Sequence, residues 1–409
     1  MDSLLDKLYR KQCWEDFLEY RSSLARSKSD LEELRSFIDS ESYIPVLNSI
    51  KRGDPFPLPR KAVISKMSTG KKRTVYIYPE PENTVLKLLT HLILRKYDRI
   101  FNDSLYSFRP GVTAKDAVRK LSGTRNIRNM YSYKADISNY FNSIPVDRLI
   151  PMIREVMSDD PLLCSFICGL LLEERVYDGG TAITEQKGIM AGTPISSFLA
   201  NLYLRDADEY FAGQGVLYAR YSDDVIFMSP SGERIAECAG MFRRVLGEYG
   251  LSINPDKEEF GSPDTGWTFL GFSYRDRVID IAPATIKKLK AKMRRKTRAL
   301  MRWRSRNERD PEQAAKAFIR IFNKKLLDIP EDSELSWSLW FFPVINTDRS
   351  LHEIDLYAQE CLRYLLSGTR TKSRYNIRYE QLKALGYRNL VHEYHLFRDS
   401  APENKDPAD

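Results

Sequence analysis

Cysteine and histidine are scarce in this chain. Five cysteines (Cys13, Cys164, Cys168, Cys238, Cys361) and four histidines in 409 residues, with no Cys-x-x-Cys pair, argue against a disulfide framework and against a zinc site. Cys164 and Cys168 fall on one helical face and read as buried, and His392 and His395 have no companion ligands nearby. Long apolar runs are missing as well. The longest, LLCSFICGLLL at 162–172, falls short of the roughly 20 residues that a membrane-spanning helix requires. The opening MDSLLDKLYRKQCWEDF carries acids early and has no apolar core, unlike a secretory leader. A soluble, cytoplasmic protein with no membrane partner is expected. No internal repeat is visible.

What the chain has is charge in both signs with a basic excess. There are 64 Lys and Arg against 56 Asp and Glu, a formal net charge of +8, alongside 42% hydrophobic and 11% aromatic residues. Such a chain is long enough for a large core or several subdomains, and its balance favours a polyanionic partner.

Residues 1–60 read as a helical extension that breaks at KRGDPFPLPRK, where Gly53, Pro55, Pro57 and Pro59 exclude regular structure. A hairpin, AVISKMSTGKKRTVYIYP, and a helix, NTVLKLLTHLILRKYDRIF, follow. Two strand candidates carry acids: MYSYKADI, ending near Asp136, and GVLYARYSDDVIFMSP, a hairpin about Asp223 and Asp224. Between them ISSFLANLYLRDADEYF sets Ile195, Phe198, Leu199, Leu202 and Tyr203 at helical spacing and predicts one amphipathic helix on a sheet. The order of elements predicts an α+β fold. Residues 61–282 are expected to form the catalytic domain, 283–400 a basic helical region, and 401–409 a disordered tail.

Two carboxylates about 4 Å apart repel by roughly 4 kcal/mol at an effective dielectric of 20. Protonation, a basic partner or a divalent cation must compensate, and Mg²⁺ takes a few carboxylate oxygens together with phosphate and water. Tyr-x-Asp-Asp alone is weak evidence, since a shuffled chain of this composition holds about 0.1 copies. Asp136 changes the odds, because strand ends bearing three carboxylates suit two-metal phosphoryl transfer.

Several blocks in a fixed order between about residues 60 and 395 resemble a bacterial reverse transcriptase of the group II intron, retron and defence-associated lineage. SLYSFRPGVTAKDAV (104–118), KADISNYFNSI (134–144), AGTPISSFLANLYL (191–204), YSDD (221–224), GLSINPDKEEF (250–260) and WTFLGFSY (267–274) carry the resemblance. It implies a right-hand polymerase with fingers, an antiparallel palm sheet packed on helices, and a helical thumb. It implies Asp136, Asp223 and Asp224 as catalytic metal ligands, with the Ile137 carbonyl assisting, two Mg²⁺ ions as cofactors and Mn²⁺ as the alternative. Lys71, Arg73, Phe141, Gly192 and Lys257 would bind the incoming nucleotide. Phe141 would exclude a 2′-hydroxyl, with Tyr140 on the opposite face of the strand as core. Phe269, Leu270 and Gly271 would form the primer grip, and Arg109 would buttress the template or the fingers. Ala191, Ser196-Ser197 and Glu82-Asn83 depart from the family's usual residues, and Ala191 removes a glutamine that would contact the nucleotide.

Lys287 to Arg309 holds twelve Lys or Arg, and Lys292, Arg295, Arg298 and Arg302 are read as a phosphate track that positions nucleic acid without reading sequence. Arg370, Lys372 and Arg374 are read as contacts to structured RNA. The expected function is RNA-directed synthesis of cDNA from dNTPs and a primer on an associated structured noncoding RNA, in antiviral defence. The alternatives are untemplated DNA synthesis of the abortive-infection type and a non-catalytic RNA-binding splicing cofactor.

Overall fold

The computed structural model describes residues 3–24, 28–65, 72–328 and 337–400; the expected tail at 401–409 lies outside them. The chain separates into two compact units, one reaching Leu270 and the other beginning at Gly271 apart from a short segment near residue 25.

The first unit starts with α1 (Leu4–Lys7), α2 (Lys11–Ser23), α3 (Lys28–Asp39) and α4 (Tyr43–Arg52). Trp14 anchors this layer: its ring is fully buried, stacks on Tyr43, and its indole donates to the Leu8 carbonyl at 2.7 Å. After the proline-rich break come β1 (Arg60–Ser65) and β2 (Lys72–Ile77), paired antiparallel from Arg60↔Ile77 to Ser65↔Lys72. Then follow α5 (Glu82–Lys96), α6 (Ala114–Ser122), β3 (Tyr131–Asp136), α7 (Tyr140–Ser143), α8 (Val146–Val156), α9 (Pro161–Leu172), β4 (Arg175–Asp178) and β5 (Thr181–Thr184). Strands β2, β1, β4 and β5 make one sheet in that order, with β4 parallel to β1.

The segment expected as one amphipathic helix is two, α10 (Ser196–Tyr203) and α11 (Arg205–Ala212), broken at Leu204 with φ −105° and ψ 15°. Helix α10 is buried nearly all round, its polar Ser196 and Asn201 included, so it is a core helix and its apolar stripe marks no single face. The remaining elements are β6 (Leu217–Tyr221), β7 (Asp224–Ser229), α12 (Gly232–Glu248), β8 (Glu259–Gly261) and β9 (Trp267–Phe269).

The second sheet runs β6-β7-β3-β8, antiparallel throughout. β7 is central, and Val225, Ile226, Phe227 and Met228 are buried on both faces as a central strand requires. Phe227 packs edge to face on Phe211 and Phe242 at 5.2 and 5.4 Å, which ties the sheet to α11 and α12.

The second unit opens with a hairpin, β10 (Phe272–Arg275) and β11 (Val278–Ile281), turned by Asp276 and Arg277 at φ 50° and 66°, the positive angles a two-residue hairpin loop requires. Helices α13 (Pro283–Arg306), α14 (Pro311–Leu326), α15 (Trp337–Phe341), α16 (Arg349–Ser367), α17 (Tyr379–Ala384) and α18 (Leu390–Ser400) follow. α13, α14 and α16 pack pairwise. α13 buries only Ile286, Met293, Thr297 and Leu300, one stripe of a helix otherwise covered with cations. Asp355, 2% exposed, accepts from the Tyr387 hydroxyl at 2.6 Å and from the amides of Leu390 and Val391, fixing the start of α18. Among the described residues, no helix is long and apolar enough to cross a membrane.

Candidate active site

Strand pairing brings the three aspartates together. Asp136 ends β3 directly opposite Asp224, the first residue of β7. Asp223 sits in the two-residue turn between β6 and β7, where Tyr221 pairs with Asp224. The Ile137 amide donates to the Asp223 carbonyl at 2.8 Å and the Asn254 amide to the Asp136 carbonyl at 2.7 Å. The acids therefore stand on backbone locked from both sides.

Their electrostatics are set by burial and by mutual repulsion. Burial, followed by the charge of Asp136, raises the Asp223 carboxyl above its ordinary range. Burial, Asp223 and Asp136 push Asp224 up to about 6. The Lys257 ammonium is ion-paired with Asp136 and half exposed. Among the described residues no cluster of three or more His, Cys, Asp or Glu is close enough to cage a metal ion. The residues fit a different kind of centre. All the donors are hard oxygens, and Mg²⁺ is held through one or two carboxylates with phosphate and water completing its shell. Asp136, Asp223 and Asp224, with the Ile137 carbonyl, would hold such an ion.

The turn that carries Asp223 is supported from behind by polar groups whose roles are not legible in the motif. Ser222 has φ 60°, a left-handed angle that a side-chain-bearing residue adopts at a cost. Its amide donates to the Ser107 hydroxyl at 2.9 Å, and its carbonyl accepts from Arg220 at 3.3 Å. Arg220 is completely buried and grips Asp208 of α11 with two bonds at 2.7 and 2.5 Å. Tyr218 donates to the same carboxylate at 2.8 Å, while Asn201 of α10 and Ser107 bond each other at 3.2 and 2.8 Å. The only sequence signal for this network is a charged residue, Arg220, inside an otherwise buried strand.

A second wall is built by α7, β2 and the loop before α10. Asn139 at φ 45° caps α7, three residues past the end of β3, so Tyr140 and Phe141 lie on a short helix and not on the two faces of a strand. Tyr140 is buried, its hydroxyl on the Ala200 carbonyl at 2.5 Å. Phe141 is half-buried; Phe108 meets it edge to face at 6.3 Å, and the Arg73 guanidinium lies over it at 5.9 Å. Gly188 and Gly192, at φ 53° and 101°, let the loop run against this wall. A Cβ on Gly188 would stand 2.5 Å from the Phe141 carbonyl, and one on Gly192 3.0 Å from Val75 Cβ. The Ala191 amide donates to Asn142 Oδ1 at 3.0 Å and its carbonyl accepts from Tyr76 at 2.8 Å. Asn142 and Gly188 are further contributors that the motifs did not single out.

Other expected residues lie elsewhere. Lys71 is outside the described residues. Arg109 is not free to reach a nucleic acid: its side chain is 8% exposed, with two bonds to Asp98 at 2.9 and 3.1 Å and one to the Asn102 carbonyl at 2.9 Å. In its observed contacts it clamps the loop that follows α5. Phe269 is fully buried, so its ring has no exposed face for a primer; Leu270 and Gly271 follow with φ 51° and 87°. Lys292, Arg295, Arg298 and Arg302 are exposed on α13 and make no ion pair with a described carboxylate.

Comparison with known proteins gives three findings. The model of the family described as reverse transcriptase (RNA-dependent DNA polymerase) matches residues 64–274. The uncharacterized 91 kDa protein in cob intron of Schizosaccharomyces pombe is 25% identical over 170 residues, 40% of this chain and 20% of the relative; the match thus spans a fifth of that relative's length. Among solved structures, apo telomerase from Candida tropicalis is 11% identical over 83% of this chain and 62% of its own, with a TM-score of 0.47. Telomerase from Candida albicans in complex with a TWJ fragment of telomeric RNA is 11% identical over 90% and 71%, with a TM-score of 0.41.

Proposed function

Because this chain belongs to the reverse transcriptase (RNA-dependent DNA polymerase) family, matched over more than half its length, we propose that it copies RNA into DNA from dNTPs and a primer. The observation that carries this reading is the register Asp136↔Asp224 with Asp223 in the adjoining turn, which gathers three carboxylates at one sheet end. Two Mg²⁺ ions, when bound, would supply the charge that activates a primer hydroxyl and stabilises departing pyrophosphate.

The chain's own residues do the rest. Burial and mutual repulsion disfavour three bare carboxylates here, a cost that a bound cation would offset. Lys257, already beside Asp136, is placed to neutralise or protonate the leaving group. Arg73 offers charge-assisted bonds to the triphosphate, and Phe141, held between Arg73 and Phe108, stands as the barrier to a 2′-hydroxyl. The cations of α13 hold template and primer by their phosphates.

We further propose that the template is a structured noncoding RNA, that the setting is cytoplasmic antiviral defence, and that the lineage is that of bacterial stand-alone enzymes; the blocks quoted above support this. The Asp223→Ala, Asp224→Ala double variant is expected to lose cDNA synthesis in a primer-extension assay while still binding RNA; undiminished synthesis would refute the assignment. Untemplated synthesis is the second reading, favoured by the small, buried Ala191. Sequencing the product separates the two, since complementarity to an RNA supports templating and a random product rejects it.

A further inference from the structure

Helix α13 carries two basic faces. Lys288, Lys292, Arg295 and Arg302 project from one. Lys287, Lys290 and Arg294, spaced i, i+3 and i+7, line the other, beside the buried stripe and facing α16. Along this second face run two adjoining hollows of about 420 and 300 Å³, both lined by Arg294. The opposite wall is α16 and the loop after it, contributing Arg349, Tyr357, Tyr364 and Arg370.

Charge bookkeeping in the groove leaves an excess of cations. Lys290 is ion-paired with Glu353 at 2.7 Å and Arg374 with Glu360 at 2.7 Å. Lys287, Arg294, Arg349 and Arg370 have no ion pair with a described carboxylate. Two of them are instead arranged on aromatic groups: Arg294 donates to the Tyr357 hydroxyl at 3.1 Å, and the Arg370 guanidinium lies 4.7 Å above the Tyr364 ring. Six cations against three carboxylates, Asp280, Glu353 and Glu360, with Tyr357 and Tyr364 in the same lining, offer phosphate contacts and stacking faces along one cleft.

We propose that this α13–α16 groove is a binding site for a single-stranded polynucleotide, with Lys287, Arg294, Arg349 and Arg370 on its phosphates and Tyr357 and Tyr364 against its bases. A single strand fits better than a duplex because the tyrosines reach a base only when it is unpaired. From Arg349 to Tyr364 the wall extends roughly 22 Å at the rise of an α-helix, long enough for several nucleotides. The groove therefore takes template that has not yet been paired or strand that has been released, while the other face of α13 takes the duplex. The inference rests on the polymerase reading for the expectation that such strands are at hand.

The test is binding by the full chain, measured by fluorescence anisotropy with labelled 12-nucleotide single-stranded RNA, single-stranded DNA and a blunt duplex, each over a range of salt. In the Arg294→Gln, Arg370→Gln variant, single-strand affinity should fall at least tenfold and the slope of log K against log salt by about 1.4, at roughly 0.7 per phosphate contact. Duplex affinity should change less than twofold. The Arg294→Lys, Arg370→Lys variant, which keeps charge, should keep the slope and guards against misfolding, with Tyr364→Leu weakening single-strand binding alone. A preference for RNA assigns the groove to template and a preference for DNA to product; either supports it. Unchanged single-strand affinity, equal losses for strand and duplex, or an acidic peptide that binds as tightly as the oligonucleotides would overturn it. If the unsubstituted chain makes no DNA yet shows this pattern, the polymerase reading fails and the groove stands.

Discussion

Both units of this protein concentrate charge, and they treat it in opposite ways. Behind the catalytic turn of the first unit, Arg220 and Asp208 are 0% and 1% exposed and bonded on every side. On α13 of the second unit, Lys292, Arg295, Arg298 and Arg302 are exposed and make no ion pair with a described carboxylate. A charge that must hold backbone in place is removed from water and given fixed partners; a charge that must meet a mobile polyanion is left solvated. Removing the first kind should damage the fold and the turn. Removing the second should leave the fold intact and weaken only the encounter.

The largest effect is expected at Arg220. Arg220→Met strands a buried carboxylate and should destabilise the chain by about 3–5 kcal/mol, measured by chemical denaturation. Adding Asp208→Leu removes the stranded charge and should recover most of that stability. Primer extension should nevertheless stay low in the double variant, because Ser222, at φ 60°, has lost the donor to its carbonyl. If extension returned together with stability, the pair would be a core feature with no bearing on the turn.

This network also shows where sequence reading stops. Asp136, Asp223 and Asp224 were legible because each adjoins an apolar strand whose register alone brings them together, and the α+β class followed from the same periodicities. The role of Arg109 stayed open between template and fingers because its partner Asp98 lies across a loop, and no spacing rule pairs residues through irregular backbone. Tyr140 and Phe141 were assigned to a strand because nothing in the composition announces the left-handed Asn139. The single helix expected at 195–211 is two because the backbone leaves helical geometry at Leu204, a residue whose apolar character gives no signal of a break. The groove beside α16 depends on tertiary packing of segments more than sixty residues apart, which the charge run at 287–309 could not reveal.

Next in size is Gly188. Alanine there must adopt φ 53° and place its Cβ 2.5 Å from the Phe141 carbonyl, so about 2 kcal/mol of destabilisation is expected. The displaced backbone carries Phe141 with it, and discrimination against ribonucleotides should weaken. Phe141→Ala should relax the same discrimination without the loss of stability. A Gly188→Ala enzyme with unaltered dNTP over NTP preference would separate the loop from the nucleotide pocket.

A smaller effect belongs to His91 on α5, packed against Phe17 and Tyr20 of α2 and beside Arg95. Burial, then Arg95 and Arg21, lower its pKa from 6.5 to about 4. Between those values the unfolded chain binds the proton and the folded chain does not, so stability is intact above pH 6.5 and declines as pH falls towards 4. With partial solvent screening, the loss should be about 1 kcal/mol. His91→Gln should flatten that part of the stability profile, and an unchanged profile would place the pH dependence elsewhere.

The smallest effect on stability, and the one that tests the comparison most directly, is expected on α13. Lys292→Gln with Arg295→Gln removes two solvated charges that hold nothing in place, so denaturation should shift by less than about 0.5 kcal/mol. Binding to a primer–template duplex should weaken and lose about 1.8 from its salt slope, at roughly 0.9 per phosphate contact. The weakening should be uniform across sequences, since phosphate contacts position without reading bases. A measurable loss of stability with an unchanged salt slope would mean that these cations are structural after all, and that the second unit treats charge as the first does. A change confined to the salt slope assigns the outward face of α13 to the duplex and leaves the groove on its other side to the single strand.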